Sequence, residues 1–141
     1  MTYILWITLD KDIYAEIGSL GKINFKRGTY LYVGSAKKNF QARIERHLLK
    51  KKRIFWHIDY LLSLNGAKIR QIWVTNKIKE CNMAQFLYKK GYNLINRFGS
   101  SDCKCRSHLF FINKGMAKAQ GLLKKRGFTK YADKDYCGWL K

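Results

Sequence analysis

The chain has 141 residues and a formal net charge of +20, from 29 Lys plus Arg against 9 Asp plus Glu. A folded chain of this length buries roughly two-thirds of its extended surface, which allows a full core and excludes a disulfide-dependent miniprotein. With 47% apolar and 15% aromatic residues the charge belongs to a folded body and not to a disordered polycation.

Residues 3–9 (Tyr-Ile-Leu-Trp-Ile-Thr-Leu) are β-branched and aromatic enough for a buried strand, ended by Asp10-Lys11-Asp12. Residues 13–17 and 22–26 read as weaker strands around Gly18 and Gly21, and 29–33 as a further strand before Gly34-Ser35. Asn39 is placed to cap a helix over 40–51, where Phe40, Ile44 and Leu48 form one stripe and Arg43 and His47 stand beside it, four apart. A helix over 57–64 ends at Asn65-Gly66, a strand covers 69–74, and a helix over 79–90 stops at Gly91. Residues 98–108 read as a polar loop, 109–112 as a strand and 115–126 as a basic helix. We expect an α/β (α+β) fold with a small, mainly antiparallel central sheet flanked by helices. No proline, low-complexity linker or repeat cuts the chain, so 1–141 is expected to be one domain, with 115–141 a basic C-terminal extension made of a packed helix and a substrate-facing tail.

No run of about 18 or more apolar residues occurs, and the start reaches Asp10 before any cleavage-site pattern, so we expect a cytoplasmic chain without a membrane partner. The sequence pI of about 10.0 points to a polyanion, because neutralising phosphates releases counterions. Nucleic acid, DNA first, is favoured over an anionic membrane or an acidic protein. The run Lys50-Lys51-Lys52-Arg53, together with Lys37, Lys38 and Arg46, is expected to follow its backbone.

Acidic residues are scarce enough to be informative. Between Tyr60 and Ala132 only Glu80 and Asp102 occur, among fifteen Lys and Arg. A hard divalent cation in a phosphate-binding protein is commonly held by one or two carboxylates plus substrate, which makes Glu80 a candidate metal ligand; the competing reading is a first-turn Glu stabilised by the helix dipole. The turn 34–39 leads into a helix N-terminus and suits a phosphate, with Arg43 the first guanidinium able to reach it. His57, two residues from Asp59 and beside Phe55 and Trp56, is a candidate base near neutral pH. Tyr3 and Tyr32 are strand aromatics by default, although surrounding cations would favour a phenolate. Cys103-x-Cys105-x2-His108 with Cys81 carries the atoms of a zinc site, but structural zinc usually separates paired cysteines by two to four residues, so packed thiols are the simpler expectation.

Tyr32-Val33-Gly34, followed by a helix carrying Arg43 and His47, resembles the second half of the signature of the GIY-YIG nuclease superfamily, with Met1-Thr2-Tyr3 in the place of the first triplet. The stretches GTYLYVGSA, FWHIDYLL and FGSSDCKCRSHLFF resemble the Uri-like branch of that superfamily. The resemblance runs from about residue 1 to 113. It implies a metal-dependent endonuclease with a single Mg²⁺ or Mn²⁺ on Glu80 and no small-molecule cofactor. Tyr3 and Tyr32 would contact the attacking water or the phosphate, and Arg43 would hold the scissile phosphate. His47 would stand near the active centre, and His57 would assist water activation. The separation of the two tyrosines, 29 residues apart, implies an inserted excursion over 13–26. An asparagine expected after the metal glutamate has Asn93, Ser101 or Asp102 as counterparts. The rival reading is a non-catalytic nucleic-acid-binding module using the same basic surface.

Overall fold

A computed structural model describes residues 1–133. Strand β1 (Thr2–Leu9) is the centre of the fold because both of its faces are apolar. Successive strand residues point to opposite sides of a sheet, so Tyr3, Leu5, Ile7 and Leu9 enter one core and Ile4 and Trp6 the other. After β2 (Ile13–Glu16) and β3 (Lys22–Phe25) come β4 (Gly28–Ser35), α1 (Phe40–Leu48), α2 (His57–Leu62) and β5 (Ala67–Thr75). Next are α3 (Glu80–Lys89), β6 (Asn93–Leu94), β7 (Leu109–Ile112), α4 (Met116–Lys125) and β8 (Thr129–Asp133).

The main sheet has the order β6-β7-β4-β1-β5-β8, and every neighbouring pair is antiparallel. The first core is closed by Ile44 of α1, by Ile58, Leu61 and Leu62 of α2, and by Phe25 from the β2–β3 hairpin. The second is closed by Met83, Ala84 and Leu87 of α3 and by Ala119 and Leu123 of α4. The expected α+β architecture, a mainly antiparallel sheet with helices beside it, is therefore observed. The 13–26 excursion is a separate two-stranded sheet. Among the described residues, no helix is long and apolar enough to cross a membrane.

Two local expectations change. Helix α1 stops at Leu48 instead of continuing to 51. The ammonium of Lys52 turns back onto the carbonyls of Arg46 and His47, at 3.0 and 2.8 Å, and satisfies acceptors that a helix end leaves unpaired. The segment after α4 is not a substrate-facing tail over 129–133; it is β8, an edge strand paired with β5. Phe128, just before it, is buried in the second core. Tyr136, Cys137 and Trp139 lie outside the described residues.

Candidate active site

Tyr3 on β1 and Tyr32 on β4 both belong to the face of the sheet that α1 covers. In the β1–β4 register Tyr3 stands opposite Gly34, and its ring lies across that residue. A Cβ added at Gly34 would come within 2.5 Å of the ring, so the absence of a side chain there is what lets the phenol reach the adjoining cleft. Asn39 caps α1 through its side-chain oxygen, which accepts the Ala42 N–H at 3.2 Å. Capping starts the helix where Arg43, one turn on, points back over the β4 terminus and donates to the Ser35 carbonyl at 3.0 Å. Its guanidinium carbon lies over the Trp56 ring, 4.6 Å from the centroid.

Glu80, the first residue of α3, completes the wall. Its Oε1 accepts from Ser35 Oγ at 2.9 Å and its Oε2 lies 3.0 Å from His108 Nδ1. Burial pushes the carboxyl pKa up, but the hydrogen bonds from His108 and Ser35 and the charges of His108 and Arg43 outweigh it, so the group stays below its ordinary value and ionised. Each carboxylate oxygen keeps a further lone pair, and the side chain is 29% exposed. An accessible, ionised carboxylate with its orientation fixed by two donors fits the partial, oxygen-only coordination that Mg²⁺ or Mn²⁺ accepts.

Tyr3, Tyr32, Arg43, His57 and Glu80 line one cleft of about 660 Å³, together with Lys37 and Lys38. Ser101 and Asp102 also line it, whereas Asn93 sits on β6 and does not. His47 is not in the wall. It is buried behind Tyr3, with Nε2 2.7 Å from the Tyr3 hydroxyl and Nδ1 without a partner. Burial, reinforced by the charge of Lys52, lowers its pKa to about 3, so the ring is neutral.

Two chemical expectations are corrected. Burial raises the pKa of both Tyr3 and Tyr32 and outweighs the charge of Arg43, so the phenols are protonated, not phenolates. His57 Nδ1 accepts the Gly99 N–H at 2.9 Å, which puts the proton of the neutral ring on Nε2. With burial lowering its pKa as well, His57 presents a donor to the cleft and has no lone pair left for taking a proton from water.

The basic residues divide in the same way. Arg46 forms a bidentate pair with buried Asp59, both contacts 2.8 Å, and its guanidinium also donates to the Arg53 carbonyl. Lys50 donates to the carbonyls of Leu62, Leu64 and Ala67, at 2.7 to 3.0 Å, and Lys52 closes α1. These three are structural donors and not the phosphate-tracking cations the charge run suggested. Lys37, Lys38 and Lys51 are exposed and make no ion pair among the described residues; Arg53 is exposed over the Phe55 ring.

Ser35 and His108, the two residues that hold Glu80, were not among the expected active-site groups. Their signals were the Gly-Ser end of a strand and a histidine at the end of a Cys-x-Cys segment. The His108 ring also approaches Cys103 Sγ through Nε2, at 3.5 Å. With Cys81 and Cys105 these residues form a cluster whose donor atoms suit a metal ion.

The fold and cleft define an antiparallel α+β domain whose polar groove carries the cations Lys37, Lys38 and Arg43 and the carboxylates Glu80 and Asp102. The chain belongs to the family described as a domain of unknown function, DUF123, which matches residues 2–127. No curated protein and no solved structure matches it.

Proposed function

We propose that this protein is a metal-dependent endonuclease of the GIY-YIG type that hydrolyses phosphodiester bonds in DNA. The observation that carries this reading is the convergence of Tyr3, Tyr32, Arg43 and Glu80, which come from four separate elements, on one cleft. The exposed lip formed by Phe55 and Trp56 beside that cleft supports a nucleic-acid substrate, since aromatic rings stack on bases. Lys37 and Lys38, which form no ion pair among the described residues, would take the flanking phosphates.

Glu80 would hold Mg²⁺ or Mn²⁺, which would supply positive charge against the phosphorane oxygens and lower the pKa of a nearby water. Arg43 keeps most of its donor fork beyond the bond to Ser35 and would hold the scissile phosphate, where its charge favours the transition state over the ground state. The Tyr3 hydroxyl, held by His47, and the Tyr32 hydroxyl would orient the attacking water. The His57 Nε2 proton would be given in a hydrogen bond to a phosphate oxygen. Water oxygen bonds to phosphorus as the bond to one sugar oxygen breaks, and the proton that water loses balances the one gained by the departing alcohol.

Plasmid nicking tests this. Cleavage should require Mg²⁺ or Mn²⁺ and stop with chelator. In Arg43→Ala and in Glu80→Ala the rate should fall by about 10² or more with the melting temperature retained. Variants that cut like the wild type would remove the site assignment. Salt-sensitive DNA retention by folded, metal-supplied protein that never cuts would replace the nuclease with the binding-module reading.

A further inference from the structure

Three thiols and an imidazole meet between α3 and the loop before β7. Cys81 stands in the first turn of α3, Cys103 and Cys105 come from the loop, and His108 is the residue before β7. Their ligand atoms all lie within 4.8 Å of one another. Bond lengths of about 2.3 Å to sulfur and 2.0–2.1 Å to nitrogen give a tetrahedral zinc site S···S edges of about 3.8 Å and S···N edges of about 3.5 Å. The Cys103 Sγ to His108 Nε2 separation is 3.5 Å. A spread this small fits one ion and is too tight for a cluster of several irons.

Packed thiols explain the cluster less well. The hydrogen bonds that the sulfurs give to carbonyls are long, Cys103 Sγ to Ser100 and Cys105 Sγ to Cys81, each 3.9 Å, and the three thiols otherwise meet one another. Between Phe98 and Leu109 the only apolar side chain that is buried is Cys105, so this loop has little hydrophobic surface with which to order itself. The one-residue interval between Cys103 and Cys105, which spoke against zinc in the sequence, is no obstacle once Cys81 arrives from a helix to complete the set.

We propose that Cys81, Cys103, Cys105 and His108 bind one Zn²⁺ in a closed, structural Cys3His site. The ion would take His108 Nε2, which leaves Nδ1–H to donate to Glu80 Oε2, 3.0 Å away. A carboxylate on the far nitrogen is the usual outer partner of a zinc-bound histidine, fixing ring orientation and tautomer. Zinc would thereby fasten the loop carrying Gly99, Ser101 and Asp102, one wall of the cleft, to the helix carrying Glu80. Zinc binding itself does not rest on the nuclease reading; only the benefit to Glu80 does.

The test uses the full chain, purified in reducing buffer with Zn²⁺ and without chelator, and no DNA. Elemental analysis should find about one zinc per chain. Cobalt-substituted protein should show the intense visible bands of a tetrahedral ion together with thiolate charge transfer. Cys103→Ser and Cys105→Ser should each lower bound zinc to below about a tenth per chain. Chelation of the wild type provides a second readout that does not depend on the folding of these variants, in which three further thiols become reactive as zinc leaves. Folded wild-type protein with almost no zinc and a featureless cobalt spectrum would overturn the proposal, as would iron in place of zinc or zinc retained in both serine variants. Zinc-replete protein that does not nick DNA would count against the nuclease and leave the zinc site standing.

Discussion

The pair Arg46–Asp59 joins the cleft to the fold, and its removal has a calculable effect. Asp59 is fully buried and accepts four hydrogen bonds: two from Arg46, each 2.8 Å, and the N–H groups of Phe55 and Trp56 at 2.8 and 2.9 Å. Those two backbone donors hold the segment that carries Trp56 and His57 into the cleft wall. Asp59→Ala leaves the Arg46 side chain, 23% exposed, without its counter-charge and orphans both N–H groups. Breaking such a pair from one side costs about 3–5 kcal/mol. With a urea dependence of about 1–3 kcal/mol per molar, the unfolding midpoint should fall by roughly 2 M. Asp59→Asn keeps an acceptor for the two backbone groups and loses one charged contact, so about 2 kcal/mol is expected. Urea titration followed by tryptophan fluorescence and far-UV dichroism measures both. The reasoning fails if Asp59→Ala costs less than about 1 kcal/mol, or if Asn and Ala cost the same, because the two backbone N–H donors would then carry none of the effect.

Acid should destabilise the protein in a window set by His47. The folded ring is held neutral, with a pKa of about 3 against 6.5 for the free side chain. The unfolded chain therefore binds more protons between those values, and stability falls as pH drops from about 6.5 to 3, by about 4 kcal/mol from this group. Asp59, whose pKa is lowered in the fold, adds its own loss only below its ordinary value of 3.8. In His47→Gln the slope between pH 6.5 and 4 should flatten; an unchanged profile from urea midpoints measured across pH would show that other groups set it. At Gly34, an added methyl group meets a Tyr3 ring that is itself only 1% exposed and has no room to turn away. Gly34→Ala should cost about 1–3 kcal/mol, read from the thermal midpoint, and a loss under about 0.5 kcal/mol would mean that the ring moves freely.

Much of the fold was legible because burial leaves a local imprint. The run of β-branched and aromatic residues over 3–9, the four-residue repeat of Phe40, Ile44 and Leu48, and Asn39 before it each record which side of an element faces a core, and the strands and helices formed there. Glu80, one of two carboxylates among fifteen cations, stood out for a related reason, since a carboxylate in so basic a stretch is conspicuous without any partner being known. Edge strand β8 was not, because Thr129 to Asp133 is short and polar and becomes a strand only through the hydrogen bonds that β5 offers.

What charge and periodicity determine by themselves is a basic α+β domain with an arginine and a histidine on one helix face and a carboxylate at the head of another. The use to which each polar group is put was decided only in three dimensions. Arg46 finds Asp59 thirteen residues away, Ser35 finds Glu80 forty-five away, and the N–H of Gly99 occupies His57 across forty-two. Apolar burial is nondirectional and repeats along the chain, so a sequence displays it. A hydrogen bond is satisfied by one partner at one distance, and that partner exists only after the sheet has brought distant segments together.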